Sequence, residues 1–178
     1  MKLVSLLIIA VSAALPTGWA RAAASGAEPA TQHSELPSVL VITKSSNKNQ
    51  VHYAALVDDA CAPAGQSPVR PYWRMLERGP GVVEPLSDGE QRVLGLEHQE
   101  VTAESVQFAL RGMPTRTFTV HTSRAADGRC ASWVGATIAG EPARVASVFV
   151  QQKLFGVDYV LLSGVSEAGA TVREQVRP

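Results

Sequence analysis

From Pro37 onward, turn-forming residues interrupt the chain about every ten residues, so there is no room for a long helix and the polypeptide must fold as short strands. Val39-Leu40-Val41-Ile42-Thr43 is a β-branched run, apolar on both faces, as a central strand requires. The cluster Ser45-Ser46-Asn47-Lys48-Asn49 then turns the chain. Val51, Tyr53, Ala55 and Val57 alternate with polar residues, which predicts a strand with one buried face and completes a hairpin. Val69–Leu76 reads as a further strand, its Pro71 marking an edge or bulge. Strand-like stretches recur at Val101, Val106–Leu110, Arg116–Thr122, Cys130–Ile138, Arg144–Gln151, Val157–Leu162 and Ala170–Val176. Gly112-Met113-Pro114, Asp127-Gly128, Gly140-Glu141-Pro142 and Glu167-Ala168-Gly169 separate them.

One stretch breaks the pattern. Ser87-Asp88-Gly89-Glu90 has the form of a capping box, so a short helix is expected over Glu90–Leu94, ended by Gly95. The fold class that follows is all-β: an antiparallel β-barrel or barrel-like sandwich of about eight to ten strands with one short helix. Residues 37–178 form its single domain. An outer-membrane barrel is excluded because aromatic residues, at 6%, are too few for two girdles.

The N-terminus is built differently. Lys2 precedes an uncharged, mostly apolar run from Leu3 to Leu15, followed by Pro16, Gly18 and the small-x-small triplet Ala20-Arg21-Ala22. This is the pattern of a cleavable signal peptide over residues 1–22. As a helix the run would span about 20 Å, short of a hydrocarbon core of about 30 Å, so no integral membrane segment is expected after cleavage. Residues 23–36, rich in Ala, Ser, Gly, Glu, Pro and Thr, read as a flexible lead-in. The expected location is outside the cytosol, periplasmic or extracellular. Cys61 and Cys130 are the only cysteines, and an oxidising compartment favours a disulfide between them, with two separately buried thiols as the alternative.

Charge narrows the partners. Once Lys2 and Arg21 leave with the leader, 14 basic residues face 16 acidic ones, with no basic stripe. Nucleic-acid binding by counterion release is therefore not expected. His33, His52, His98 and His121 show no ligand spacing, so neither a metal site nor a cofactor is expected. No nucleophile elbow or glycine-rich phosphate loop occurs.

Two polar-aromatic segments remain. Lys44, Ser45, Asn47 and Asn49 belong to the first hairpin. The plain explanation of the two asparagines is turn chemistry, and the functional one is that their amides, with Lys44 and Ser45, line one mouth of a barrel and bind a polar ligand. Tyr72, Trp73 and Arg74 place two aromatics beside a guanidinium. Strand alternation sends Trp73 to one face and Tyr72 with Arg74 to the other. A core tryptophan with a rim pair accounts for these, and the functional alternative sets Arg74 against an anionic group with Tyr53 and Trp73 forming a wall.

Several segments together resemble the domain-of-unknown-function family 4833 of secreted bacterial proteins. They are Thr43-Lys44-Ser45-Ser46-Asn47-Lys48-Asn49-Gln50-Val51-His52-Tyr53, Pro68-Val69-Arg70-Pro71-Tyr72-Trp73-Arg74, Glu90-Gln91-Arg92-Val93-Leu94-Gly95, Val148-Phe149-Val150-Gln151 and Val157-Asp158-Tyr159-Val160-Leu161-Leu162-Ser163-Gly164. Leu94 departs from the pattern, since the family usually shows an aromatic before the glycine. The resemblance spans roughly Pro37 to Val176 and implies a secreted, β-rich single domain. It implies no activity.

The function expected on these grounds is a non-catalytic extracytoplasmic binding module for a small molecule or cell-envelope partner. Lys44, Ser45, Asn47, Asn49, Tyr53, Tyr72, Trp73 and Arg74 are its candidate ligand-binding residues. An envelope-acting hydrolase with a Glu or His acid-base site is one alternative, and a structural or interaction subunit is the other.

Overall fold

The computed structural model describes residues 37–177; the expected signal peptide and lead-in lie outside them. Eleven strands and one helix follow in order: β1 (Ser38–Lys44), β2 (Asn47–Ala55), β3 (Val69–Arg74), β4 (Val83–Pro85), α1 (Asp88–Leu94), β5 (Leu96–Val101), β6 (Ser105–Leu110), β7 (Met113–Arg124), β8 (Cys130–Ile138), β9 (Glu141–Gln152), β10 (Val157–Ser166) and β11 (Thr171–Val176). The class is all-β, as the turn spacing requires. All strands join one curled sheet in the order β4-β3-β2-β1-β9-β8-β7-β6-β5, with β10 on β9 and β11 on β10. The sheet forms a half-barrel.

The long strand β9 organises this shape. Its first residues, Glu141–Arg144, pair antiparallel with β8, and its later residues, Val148–Val150, pair parallel with β1. Strand β10 runs along the opposite edge of both stretches. Two wings therefore diverge from β9 and curl toward each other. The β1–β9 pairing is the one parallel ladder among the described residues and departs from the expected antiparallel sheet. It arises because the two partners are far apart in sequence and need no hairpin between them.

Between the wings, Tyr53 of β2, Phe108 of β6 and Phe118 of β7 form a stacked series, with ring centroids 6.3 and 5.5 Å apart. All three are fully buried, as are Ile138 and Leu162. Each such side chain contributes about 1.5–3 kcal/mol by leaving water. The lips of the half-barrel are tied by a side chain. The Gln99 amide of β5 accepts from Val69 N–H (2.9 Å) and donates to Val69 C=O (3.0 Å), imitating one rung of a ladder to β3. At another edge Arg116 forms a bidentate pair with Glu174 of β11, at 3.0 and 2.6 Å. That pairing holds the Glu174 carboxyl below its ordinary value, Arg116 hydrogen bonding being the largest cause.

Strand β2 corrects one expectation. It is buried on both faces: Val51, Tyr53 and Ala55 face the core, while His52 and Ala54 on the other face are also buried. His52 stacks on Tyr72 at 5.6 Å, and Ser38 Oγ lies 2.6 Å from His52 Nδ1 and 3.1 Å from the Tyr72 hydroxyl. Cys61 and Cys130 are joined as a disulfide, their Cα atoms 5.3 Å apart, which links the β2–β3 connection to the start of β8. No helix among the described residues is long and apolar enough to cross a membrane.

Candidate functional site

Helix α1 builds the site. The Glu90 carboxylate reaches back to Ser87, accepting from its N–H (2.8 Å) and hydroxyl (2.7 Å), which starts the helix where the capping box predicts. A helix this short ends with unpaired carbonyls, and here the sheet satisfies them. Gly112 N–H donates to Val93 C=O (2.8 Å), the Tyr53 hydroxyl donates to Leu94 C=O (2.7 Å), and Arg111 donates to Gln91 C=O (3.3 Å). Gly95 ends the helix in an extended conformation, φ −67° and ψ 165°, so no left-handed turn requires glycine there. Close approach does: a Cβ on Gly95 would sit 2.3 Å from Gln91 O. The helix is thereby held across one open end of the half-barrel.

Beneath it lies a cavity of about 390 Å³. Ile42, Val51, Leu110, Met113, Val148 and Val160 give it apolar walls, and Val93 and Leu94 of α1 close part of its roof. Its polar groups gather at Lys44, Trp73, Glu90 and Gln152. The Lys44 ammonium sits 4.4 Å from the centre of the Trp73 ring and has no ion pair among the described residues. The Trp73 side chain is 6% exposed, and its indole Nε1 is buried with no acceptor at hydrogen-bond geometry. The Glu90 carboxylate is nonetheless close enough to feel the indole N–H, although no hydrogen bond of ordinary geometry joins them. Burial raises the Glu90 carboxyl, but the Ser87 hydrogen bonds, the nearby Trp73 N–H and the Lys44 charge outweigh it and leave the group below its ordinary value. The mouth therefore carries one cation, one anion and an indole donor beside that anion.

A cleft of about 610 Å³ adjoins this mouth and shares Lys44, Trp73 and Glu90 with it. Asn47 and Asn49 line the cleft, and their side-chain oxygens also accept from the backbone N–H groups of Asn49 and Glu77, both at 3.1 Å.

The eight residues singled out from sequence thus divide. Lys44 and Trp73 meet at the cavity, with Asn47 and Asn49 beside them. Ser45 stitches β1 to β9, its hydroxyl accepting from Gln152 N–H at 2.9 Å. Tyr53 is fully buried and anchors α1. Tyr72 and Arg74 lie on the opposite face of the sheet from Trp73, beside His52. Burial, and then the Arg74 charge, lowers the His52 pKa from 6.5 to about 4. Sequence reasoning missed the apolar walls. Leu110, Val148 and Val157 read as ordinary strand residues and Met113 as part of a turn, and only the curl of the sheet shows that they surround a space. Glu90 was legible, though only as a helix cap.

A second groove, about 620 Å³, crosses β7, β8 and β9 on the outer face. Its tryptophan is already covered: His121 stacks on Trp133 at 4.1 Å, and Arg144 lies 5.8 Å from the same ring. Among the described residues no cluster of three His, Cys, Asp or Glu side chains is arranged to hold a metal ion.

The family model described as Domain of unknown function (DUF4833) matches residues 40–175. The chain belongs to this family. The match takes in both cysteines of the disulfide, and within it fall Lys44, Trp73, Glu90 and all the apolar walls of the cavity. No curated protein and no solved structure matches the chain. The half-barrel with its helix-capped end is thus the structural description of this DUF4833 domain.

Proposed function

We propose that this DUF4833 domain is an extracytoplasmic, non-catalytic binding module for a small amphipathic molecule. The observation that carries the reading is the apolar cavity whose mouth holds Lys44 against Trp73, with the Glu90 carboxylate beside them. Ligand sites combine this type of apolar lining with a few polar groups that fix orientation. The walls suit a hydrocarbon chain or ring. The head group must bring an acceptor for Lys44 and tolerate the Glu90 carboxylate, which favours a neutral or zwitterionic head over a simple anion. The disulfide and the apolar leader pattern support an exported setting, with the leader removed.

The test is calorimetric titration of the processed protein with monodecanoylglycerol below its micellar concentration. Binding should weaken about tenfold or more in Leu110→Trp, which fills the cavity, and severalfold in Lys44→Ala, while Arg74→Ala stays unchanged. Equal affinity in the wild type and Leu110→Trp would refute the site. The ionised Glu90 and the placement of His52 on the other face give a hydrolytic acid-base pair no support at this cavity.

A further inference from the structure

The turn between β9 and β10 is chemically unusual. Gln152 and Val157 are the last paired residues, so Lys153-Leu154-Phe155-Gly156 forms the loop. It is closed by Lys153 N–H donating to Gly156 C=O at 3.1 Å, and Gly156 takes the left-handed backbone, φ +98°. Hairpin tips ordinarily carry Gly, Asn, Asp or Pro. This one presents Leu154 and Phe155, 89% and 85% exposed, far more than any other large apolar residue described. Nothing in the turn geometry asks for them, since a polar residue at either position would satisfy the same backbone.

Position gives these side chains a meaning. Gln152, Gly156 and Val157, the residues around the tip, line the cavity that also contains Lys44 and Trp73. We propose that the Leu154–Phe155 tip is a membrane-docking finger, which inserts into the surface of a lipid bilayer and sets the cavity mouth against it. Docking itself is independent of the ligand reading above. The use of that cavity for a lipid chain drawn from the bilayer rests on it.

A bilayer fits better than a protein partner. A stable protein interface takes about 800 Å² from each side, spread over some twenty residues. Here the apolar surface is two side chains wide and the flanking Gln152, Lys153 and Asp158 are polar. A narrow apolar point beside a lysine suits the boundary between acyl chains and anionic head groups. Burying one such side chain shifts a partition equilibrium by about tenfold or more. Two give weak, reversible docking, since even one full acyl anchor holds only marginally.

The experiment uses the processed protein as the host exports it, with sedimented vesicles of phosphatidylethanolamine and phosphatidylglycerol. Wild type should partition onto the vesicles. The double substitution Leu154→Ser with Phe155→Ser should lose at least tenfold of that partitioning while its melting temperature and monodecanoylglycerol titration stay as in wild type. Val101→Ser, at another exposed apolar site, should partition normally. In a Phe155→Trp variant the added emission should shift to the blue with vesicles and be quenched by brominated acyl chains. Absence of wild-type partitioning, or equal partitioning by the double variant, would overturn docking. So would self-association that depends on the tip in the absence of lipid. If docking holds and the titration shows no cavity ligand, the finger stands and the ligand reading alone falls.

Discussion

Substituting Tyr53 by Phe tests how the fold holds its cavity. The Tyr53 ring is fully buried and stacks toward Phe108, and Phe preserves both features. What disappears is one hydroxyl, the donor to Leu94 C=O at the end of α1. Burial also pushes that hydroxyl's pKa above its ordinary value, so it remains a neutral donor at any working pH. Losing a buried hydrogen bond and leaving its carbonyl unpaired costs about 1–2 kcal/mol. For a domain of this size that lowers the melting temperature by about 3–8 °C. The loss should be local. Amide hydrogen exchange should quicken across residues 88–95 and remain unchanged in β7 and β8. Monodecanoylglycerol should bind a few-fold more weakly, because the helix over the cavity is less firmly held. An unchanged melting temperature with unchanged exchange in α1 would refute the claim that Tyr53 anchors the helix.

Three further outcomes follow from the same structure. His52 binds its proton near pH 4 when folded and near 6.5 when unfolded, so the unfolded chain takes up the extra proton and stability falls as pH drops through that window. Urea unfolding measured across it should show a shallower fall in His52→Gln than in wild type. Replacing both Cys61 and Cys130 by Ser opens a loop with a sequence separation of 69 and should cost about 4 kcal/mol in urea denaturation. Gln99→Ala removes both links between the lips of the half-barrel and should cost about 1–2 kcal/mol. Its hydrogen exchange should rise in β5 and at Val69, with β1 and β2 unaffected.

Much of the fold was legible because its signals are local. Val39–Thr43 reads as a central strand and β1 is one, flanked by β2 and β9. The Ser87–Glu90 pattern marks the start of α1, and Pro71 falls where β3 lacks a partner beyond β2, since β4 covers only Tyr72–Arg74. What escaped is non-local. The parallel β1–β9 ladder joins residues about a hundred positions apart in sequence, a separation that leaves no turn signature. Strand β4 is three residues long, too short for alternation to register. The site was legible in part for the same reason. Alternation correctly separated Trp73 from Tyr72 and Arg74, but which face of β3 encloses a cavity depends on how the whole sheet curls. Leu154 and Phe155 did carry a signal, two bulky apolar residues directly before a glycine in a turn. A strand reading passes over it because their neighbours form good strands.

The decisive question is whether a ligand occupies the space under α1. A crystal structure of residues 23–178 with monodecanoylglycerol brominated at the chain end tests it most directly through the anomalous signal of bromine. The bromine should lie among Leu110, Met113 and Val148, with the glyceryl oxygens at Lys44 Nζ. Bromine confined to the outer face near Trp133, or an apolar interior that excludes the chain, would contradict it.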